Sequence, residues 1–302
     1  MSGFLDSPSW YRDGHDWPLR EYSRFVSAGA IRWHVQRLGT GPVLLAVHGM
    51  GAATHSWRDL GPLLARSFTV VTIDLPGHGF TERPPASRLT LPGMANALAE
   101  LLQTEQIKPV VAVGHSAGAA ILCRMALDKR IEPHVIVSLN GALRPFHGPL
   151  GRIYEWGARL TQAFNGVTAK LVAERAQDLN RLRELIEATG SRLDERGLRC
   201  YQRLIQSPGH VAAAIGMMAG WKLRGFEDEL RRLPVDLLLV SGARDTAVPA
   251  AHGLHLAARI PRAKSLVLPD VGHLAHEEQP AVVEAVILAA ARDVLAPKIA
   301  PR

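Results

Sequence analysis

A serine stands between two glycines in Gly114-His115-Ser116-Ala117-Gly118, with the apolar run Val110 to Gly114 before it and the helix-spaced apolar run Ala117 to Asp128 after it. This placement constrains the fold more than any other feature of the chain. A strand passes straight into a helix only through a sharp, strained turn. The two elements then lie so close that the positions two before and two after the turn residue must be small. Such a turn lifts the serine hydroxyl clear of the sheet, and the helix N-terminus beyond it favours negative charge. Gly114 and Gly118 are therefore read as steric requirements of the turn, and Ser116 as a candidate nucleophile. The five-residue pattern alone is common; its strand-and-helix context gives it meaning.

The rest of the first half repeats the same alternation. Arg24 to Ser27 and Ile31 to Arg37 read as a hairpin turning at Ala28-Gly29-Ala30. Val43 to His48, Thr69 to Asp74 and His134 to Leu139 are short apolar runs of the kind buried parallel strands carry. Helical spacing appears over Trp57 to Arg66 and Leu91 to Thr104. Strands alternating with helices predict an α/β fold, a mostly parallel sheet covered by helices on both faces. After Asn140 the rhythm breaks: Leu143 to Glu229 shows only helical patterns, interrupted at Gly166, Gly190, Gly197 and Ser207-Pro208-Gly209. Strands return at Val235 to Val240 and Ser265 to Leu268, with helices over Ala250 to Arg259 and Ala281 to Val294. The simplest organisation is one α/β core, residues 1–142 and 230–302, with a helical cap, 143–229, inserted between two strands.

Serine is a weak nucleophile near neutral pH and needs an adjacent base. In folds built on such a turn the partners follow in the order Ser, acid, His. His273, in Asp270-Val271-Gly272-His273, lies between the last strand and the last helix, where a loop can return it to Ser116. Asp245 follows Val235 to Val240 in Ser241-Gly242-Ala243-Arg244-Asp245 and would orient the imidazole. The chain has 13 histidines, and His276, His252 and His255 compete for the role of base; Asp270 and Asp236 compete for that of acid. His48-Gly49-Met50-Gly51 ends the first parallel strand. Its turn would present the N–H of Met50, with that of Ala117, to a developing oxyanion, while the His48 ring braces the loop. Asp74 opens the turn Asp74-Leu75-Pro76-Gly77-His78-Gly79 and is read as an organiser of that loop.

Charge and cysteine content exclude several other classes. The net charge of +7 comes from scattered Lys and Arg with no basic run or face, which argues against nucleic acid as a partner. Two distant cysteines, Cys123 and Cys200, give neither a disulfide framework nor a zinc site, and no metal or other cofactor is expected. The N-terminal residues lack the apolar core of a secretory signal, and no run approaches the roughly 20 apolar residues of a membrane span. A cytoplasmic protein is the expectation.

Together, His48 to Gly51, Asp74 to Gly79, Gly114 to Gly118, Asp245 and Gly272-His273 resemble the α/β-hydrolase superfamily over nearly the whole chain. Asp16-Trp17-Pro18-Leu19-Arg20, Ser23-Arg24-Phe25-Val26, Arg32-Trp33-His34-Val35-Gln36 and Thr54-His55-Ser56-Trp57-Arg58 are similar to a narrower family, BchO. That family is labelled a magnesium chelatase accessory protein of bacteriochlorophyll biosynthesis. The wider resemblance implies Ser-His-Asp hydrolysis of an ester-like or carbon–carbon bond, because a serine rather than an aspartate occupies the turn. The narrower one implies a role near magnesium insertion, with a tetrapyrrole as ligand and chelatase subunits as partners, and leaves a non-catalytic accessory role open. Substrate choice is expected in the cap. There Tyr154, Trp156, Phe164, Met217, Met218 and Trp221 would line an apolar pocket or bury the cap on the core, and Arg144, Arg152 and Arg159 would meet carboxylates.

Overall fold

The computed structural model describes residues 6–145 and 178–295. Eight strands form one sheet: β1 (Ser23–Ala28), β2 (Ile31–Leu38), β3 (Val43–Val47), β4 (Thr69–Ile73), β5 (Val111–His115), β6 (Val135–Leu139), β7 (Asp236–Gly242) and β8 (Ala263–Leu268). Their order across the sheet is β1-β2-β4-β3-β5-β6-β7-β8. The first two strands pair antiparallel with each other, and β2 with β4; every pairing from β4 to β8 is parallel. The hairpin, the parallel sheet and the alternation read from the sequence are all present. The α/β-hydrolase fold is the result.

Successive residues of the central strands point to opposite faces, so each strand feeds two cores. Leu45 and Val47 of β3, Val71 and Ile73 of β4 and Ala112 of β5 belong to one buried cluster, which the helices Leu91–Thr104 and Ala117–Leu127 cover. Leu44 and Ala46, Val70, and Val111 and Val113 belong to the other, under Leu60–Leu64 and Pro280–Ala290. Both faces are dry, which explains the unbroken apolar strand runs.

Four helices of the described part lie between β6 and β7: Leu179–Glu187, Glu195–Ile205, Pro208–Gly220 and Phe226–Leu230. They make up the described part of the insertion between these two strands. Gly190 and Ser207 do separate helices, but Gly197 lies inside Glu195–Ile205, where a Cβ would sit 2.6 Å from the Arg58 guanidinium. This glycine is there for close packing, not for a break. The helix expected over Trp57 to Arg66 shrinks to Leu60–Leu64, preceded by a 3-10 turn at Thr54–Trp57. Pro62 lacks the N–H that would bond back to Arg58, so the helix can begin only just before it. The last helix also divides, into Pro280–Ala290 and Arg292–Leu295.

Candidate active site

His48 to Gly51, Ser116, Asn140, Asp245 and His273 all lie just beyond the C-terminal ends of the adjacent strands β3, β5, β6, β7 and β8. The chain reverses its direction across the sheet between β3 and β5, the crevice where open α/β sheets bind ligands. Ser116 is in that crevice, at φ 49° and ψ −115°, a backbone conformation that non-glycine residues rarely hold. The two glycines each have a separate steric cause. A Cβ at Gly114 would lie 2.5 Å from the Ala119 backbone, and one at Gly118 2.2 Å from the Val47 carbonyl oxygen. The strained serine is tied at both ends to the end of β6: its N–H donates to Leu139 O at 3.0 Å, and its carbonyl accepts from Ala142 N–H at 3.0 Å.

His273 Nδ1 donates to Asp245 Oδ2 at 2.8 Å, which leaves Nε2 as the nitrogen able to accept a proton. The Asp245 carboxylate is fully buried and has four donors. Oδ1 takes the backbone N–H groups of Ala247 and Val248, both at 2.8 Å, and Oδ2 takes Asn140 Nδ2 at 2.7 Å beside His273. Asn140 also donates to Gly272 O at 3.2 Å. His115, beside Ser116, donates from Nε2 to the His273 carbonyl at 2.9 Å and packs at a tilt against the rings of His273 and His276. The histidine loop is thereby fastened to the turn that carries the serine. Burial, with His276 and His273 close by, pushes the His115 pKa well below the ordinary value, so its ring is a neutral brace.

The competing residues are placed elsewhere. Asp270 is exposed, and its carbonyl is engaged by Arg244. Asp236 is exposed and pairs with Arg262 at 2.8 Å. His255 pairs with Glu227 at 2.8 Å, and His276 is fully buried against Trp57 and His115. His252 lies in the helix Ala250–Ala257.

The glycine-rich loop after β3 lies against the serine: a Cβ at Gly49 would be 3.0 Å from Ser116 Cβ. His48 braces it. Its Nε2 accepts from Leu75 N–H at 2.9 Å, which fixes the proton on Nδ1, and Nδ1 donates to Gly49 O at 2.7 Å. Ala117 opens its helix, so its N–H has no acceptor within that helix. Asp74, fully buried, joins three segments: it accepts from His34 Nδ1 at 2.7 Å, Thr54 N–H at 2.7 Å and Phe80 N–H at 2.9 Å. Burial alone would raise its pKa, but His34 and these donors hold it far below the usual carboxylate range. It thereby ties His34 of β2 to the chain at Thr54 and Phe80.

The helix Pro208–Gly220 packs on the loop before Leu91, with Gly216 and Gly220 against Leu89. Met217 has no exposed surface and belongs to the main core cluster, so it does not line an open wall; Met218 is partly exposed. Trp221 is buried in the same cluster. Arg144 is engaged by Glu227 at 2.9 Å. Tyr154, Trp156, Phe164, Arg152 and Arg159 lie outside the described residues. His210 joins the insertion to the core, accepting from Gly79 N–H at 3.1 Å and donating to Gly51 O at 3.1 Å. Among the described residues no His, Cys, Asp and Glu group could hold a metal ion, and no helix is long and apolar enough to cross a membrane.

A mostly parallel sheet with a strained Gly-x-Ser-x-Gly turn and a hydrogen-bonded His–Asp pair at its strand ends defines a class, and the chain belongs to the α/β-hydrolase fold family, whose model matches residues 42–280. Within it the chain is similar to the magnesium-chelatase 30 kDa subunit of Rhodobacter capsulatus, at 38% identity over 87% of this chain and 92% of that one. It is 30% identical, over 81% of its length and 94% of the other's, to the pimeloyl-[acyl-carrier protein] methyl ester esterase of Aeromonas hydrophila. A solved α/β-hydrolase fold protein from Burkholderia ambifaria superposes with a TM-score of 0.76 at 26% identity, covering 89% of this chain and 97% of that one. The BchO resemblance is borne out, and fold and esterase relatives together support a hydrolase.

Proposed function

We propose that the chain is a serine hydrolase in which Ser116, His273 and Asp245 act as nucleophile, base and orienting acid. The observation that carries this reading is the 2.8 Å His273–Asp245 hydrogen bond, tied through His115 to the strained turn at Ser116. His273 Nε2 takes the Ser116 proton as Oγ adds to the substrate carbonyl, and the N–H groups of Met50 and Ala117 receive the oxyanion. The leaving group departs with that proton, and water then releases the acid product from the acyl-enzyme. Asp245 stabilises the imidazolium and keeps the productive tautomer. The substrate is an apolar molecule with an ester-like or carbon–carbon bond. Residues 143–229 serve as the cap that selects it, in a cytoplasmic enzyme. The relative named as a methyl ester esterase favours an ester. Hydrolysis of p-nitrophenyl esters of graded chain length is the test: measurable turnover, lowered about 10⁴-fold or more in Ser116→Ala, is expected. Equal turnover by the two proteins would contradict it.

A second reading has one observation in its favour, the relative named as a magnesium-chelatase subunit. In it the chain assists magnesium insertion in bacteriochlorophyll biosynthesis by binding a tetrapyrrole or chelatase subunits, without hydrolysis. Complementing a deletion strain with Ser116→Ala separates the two. Full restoration of pigment favours the accessory role, and none favours catalysis.

A further inference from the structure

One turn of the insertion, residues 188–192 between the helices Leu179–Glu187 and Glu195–Ile205, touches the chain on both sides of both His273 and Asp245. Before Asp245, the Arg244 carbonyl oxygen packs so tightly on Gly190 that a Cβ there would lie 1.8 Å from it. After Asp245, Thr246 donates through its N–H to Thr189 O at 3.3 Å and through Oγ1 to Ala188 O at 2.5 Å. Before His273, Gly272 lies on Gly190 and Ser191, and a Cβ on it would meet Gly190 C at 2.2 Å. After His273, Leu274 N–H donates to Ser191 Oγ at 2.8 Å, and Ser191 is fully buried. Glu278 completes the attachment, taking Gly272 N–H on Oε1 at 2.8 Å and Arg192 N–H on Oε2 at 3.2 Å. Gly190 at φ +83° makes the fit possible in both shape and backbone conformation.

The acid and the histidine come from separate loops after β7 and β8, which meet directly at Arg244 N–H and Val271 O, 2.9 Å apart. A wedge that grips the residues flanking each of them adds a second, independent attachment. We propose that this turn is a positioning element for the His273–Asp245 pair, acting through Ser191 and Glu278, so that the insertion sets the geometry of the site as well as covering it. The kinetic consequence rests on the serine-hydrolase reading; the geometric one does not.

Two readouts on the intact protein test this. The first is the low-field proton NMR signal of the His273 imidazole N–H bound to Asp245, assigned by its loss in His273→Gln. The Ser191→Ala/Glu278→Gln double variant is expected to broaden or lose the signal, while Ser191→Thr, which keeps the acceptor, retains it. Arg203→Gln removes the remote attachment of the insertion to Asp16 and controls for general loosening; it is expected to leave the signal intact. The second is ester turnover, where the double variant should lose about ten- to a hundredfold in kcat with little change in KM, as expected for misplaced catalytic groups. An unaltered signal and unaltered kcat in the double variant would overturn the inference, as would equal loss in Arg203→Gln. Wild-type protein that shows the signal but no turnover would instead count against the hydrolase reading alone.

Discussion

Asp245 receives four hydrogen bonds, and only one comes from the histidine it orients. The backbone donors at Ala247 and Val248 hold Oδ1, so Oδ2 has little freedom to turn from His273. Asn140 supplies the remaining donor and also fixes the Gly272 carbonyl. Asn140→Ala therefore leaves two buried acceptors short of a partner, and a loss of about 1–3 kcal/mol in urea unfolding is expected. Its ester turnover should also fall, by about tenfold, through kcat more than KM. Unchanged stability and turnover would remove Asn140 from the account. Ser116, His273 and Asp245 were legible in the sequence because each follows an apolar strand in the required order. Asn140 was not: an asparagine at a strand end is ordinary, and its φ of +49° is visible only in three dimensions. The ring of His115 anchors the histidine loop across 158 residues of chain, a contact that no local pattern shows.

Among elements, the turn around Ser116 is tightly specified. Gly118→Ala would drive a methyl group into the Val47 carbonyl, while Gly51, at φ +78°, has open space where its Cβ would go. The expected ordering in urea unfolding follows: Gly118→Ala costs more than about 2 kcal/mol from backbone overpacking, and Gly51→Ala about 1 kcal/mol from conformation alone. The reverse ordering would mean that the strand and helix are less closely packed than described. The strands could be read from sequence because both faces are buried and their runs are apolar. Helix limits were less legible where tertiary contacts decide. Gly197 is helical because the buried Arg58 packs on it, and Pro62 cuts short the helix beginning near Trp57. The turn at 188–192 carried a glycine signal, but nothing local said which loops it would meet.

At the scale of the whole molecule, the interior holds several buried histidines with lowered pKa. Burial lowers the pKa of His48, His55, His78 and His115, that of His210 to about 4 and that of His276 to about 3. A group whose folded pKa is depressed stabilises the fold above its unfolded pKa, here near 6.5, and that contribution is lost as pH falls through the folded value. Asp74 adds to the same trend below the ordinary carboxylate range, and Glu277, raised by burial, opposes it in part. Stability is therefore expected to be level near pH 7–8 and to fall steadily from about pH 6.5 toward pH 4. Urea midpoints across that range check this; a flat profile would contradict it. His210→Asn should flatten the slope toward pH 4 while weakening the attachment of the insertion to Gly51 and Gly79.

The proposed mechanism turns on one residue, the Ser116 hydroxyl as nucleophile. Treating the purified protein with a fluorophosphonate and locating the adduct by peptide mass spectrometry tests that most directly. The account predicts a single stoichiometric adduct on Ser116, formed much more slowly in His273→Gln. A folded wild-type protein that leaves Ser116 unlabelled, or labels at another residue, would contradict it.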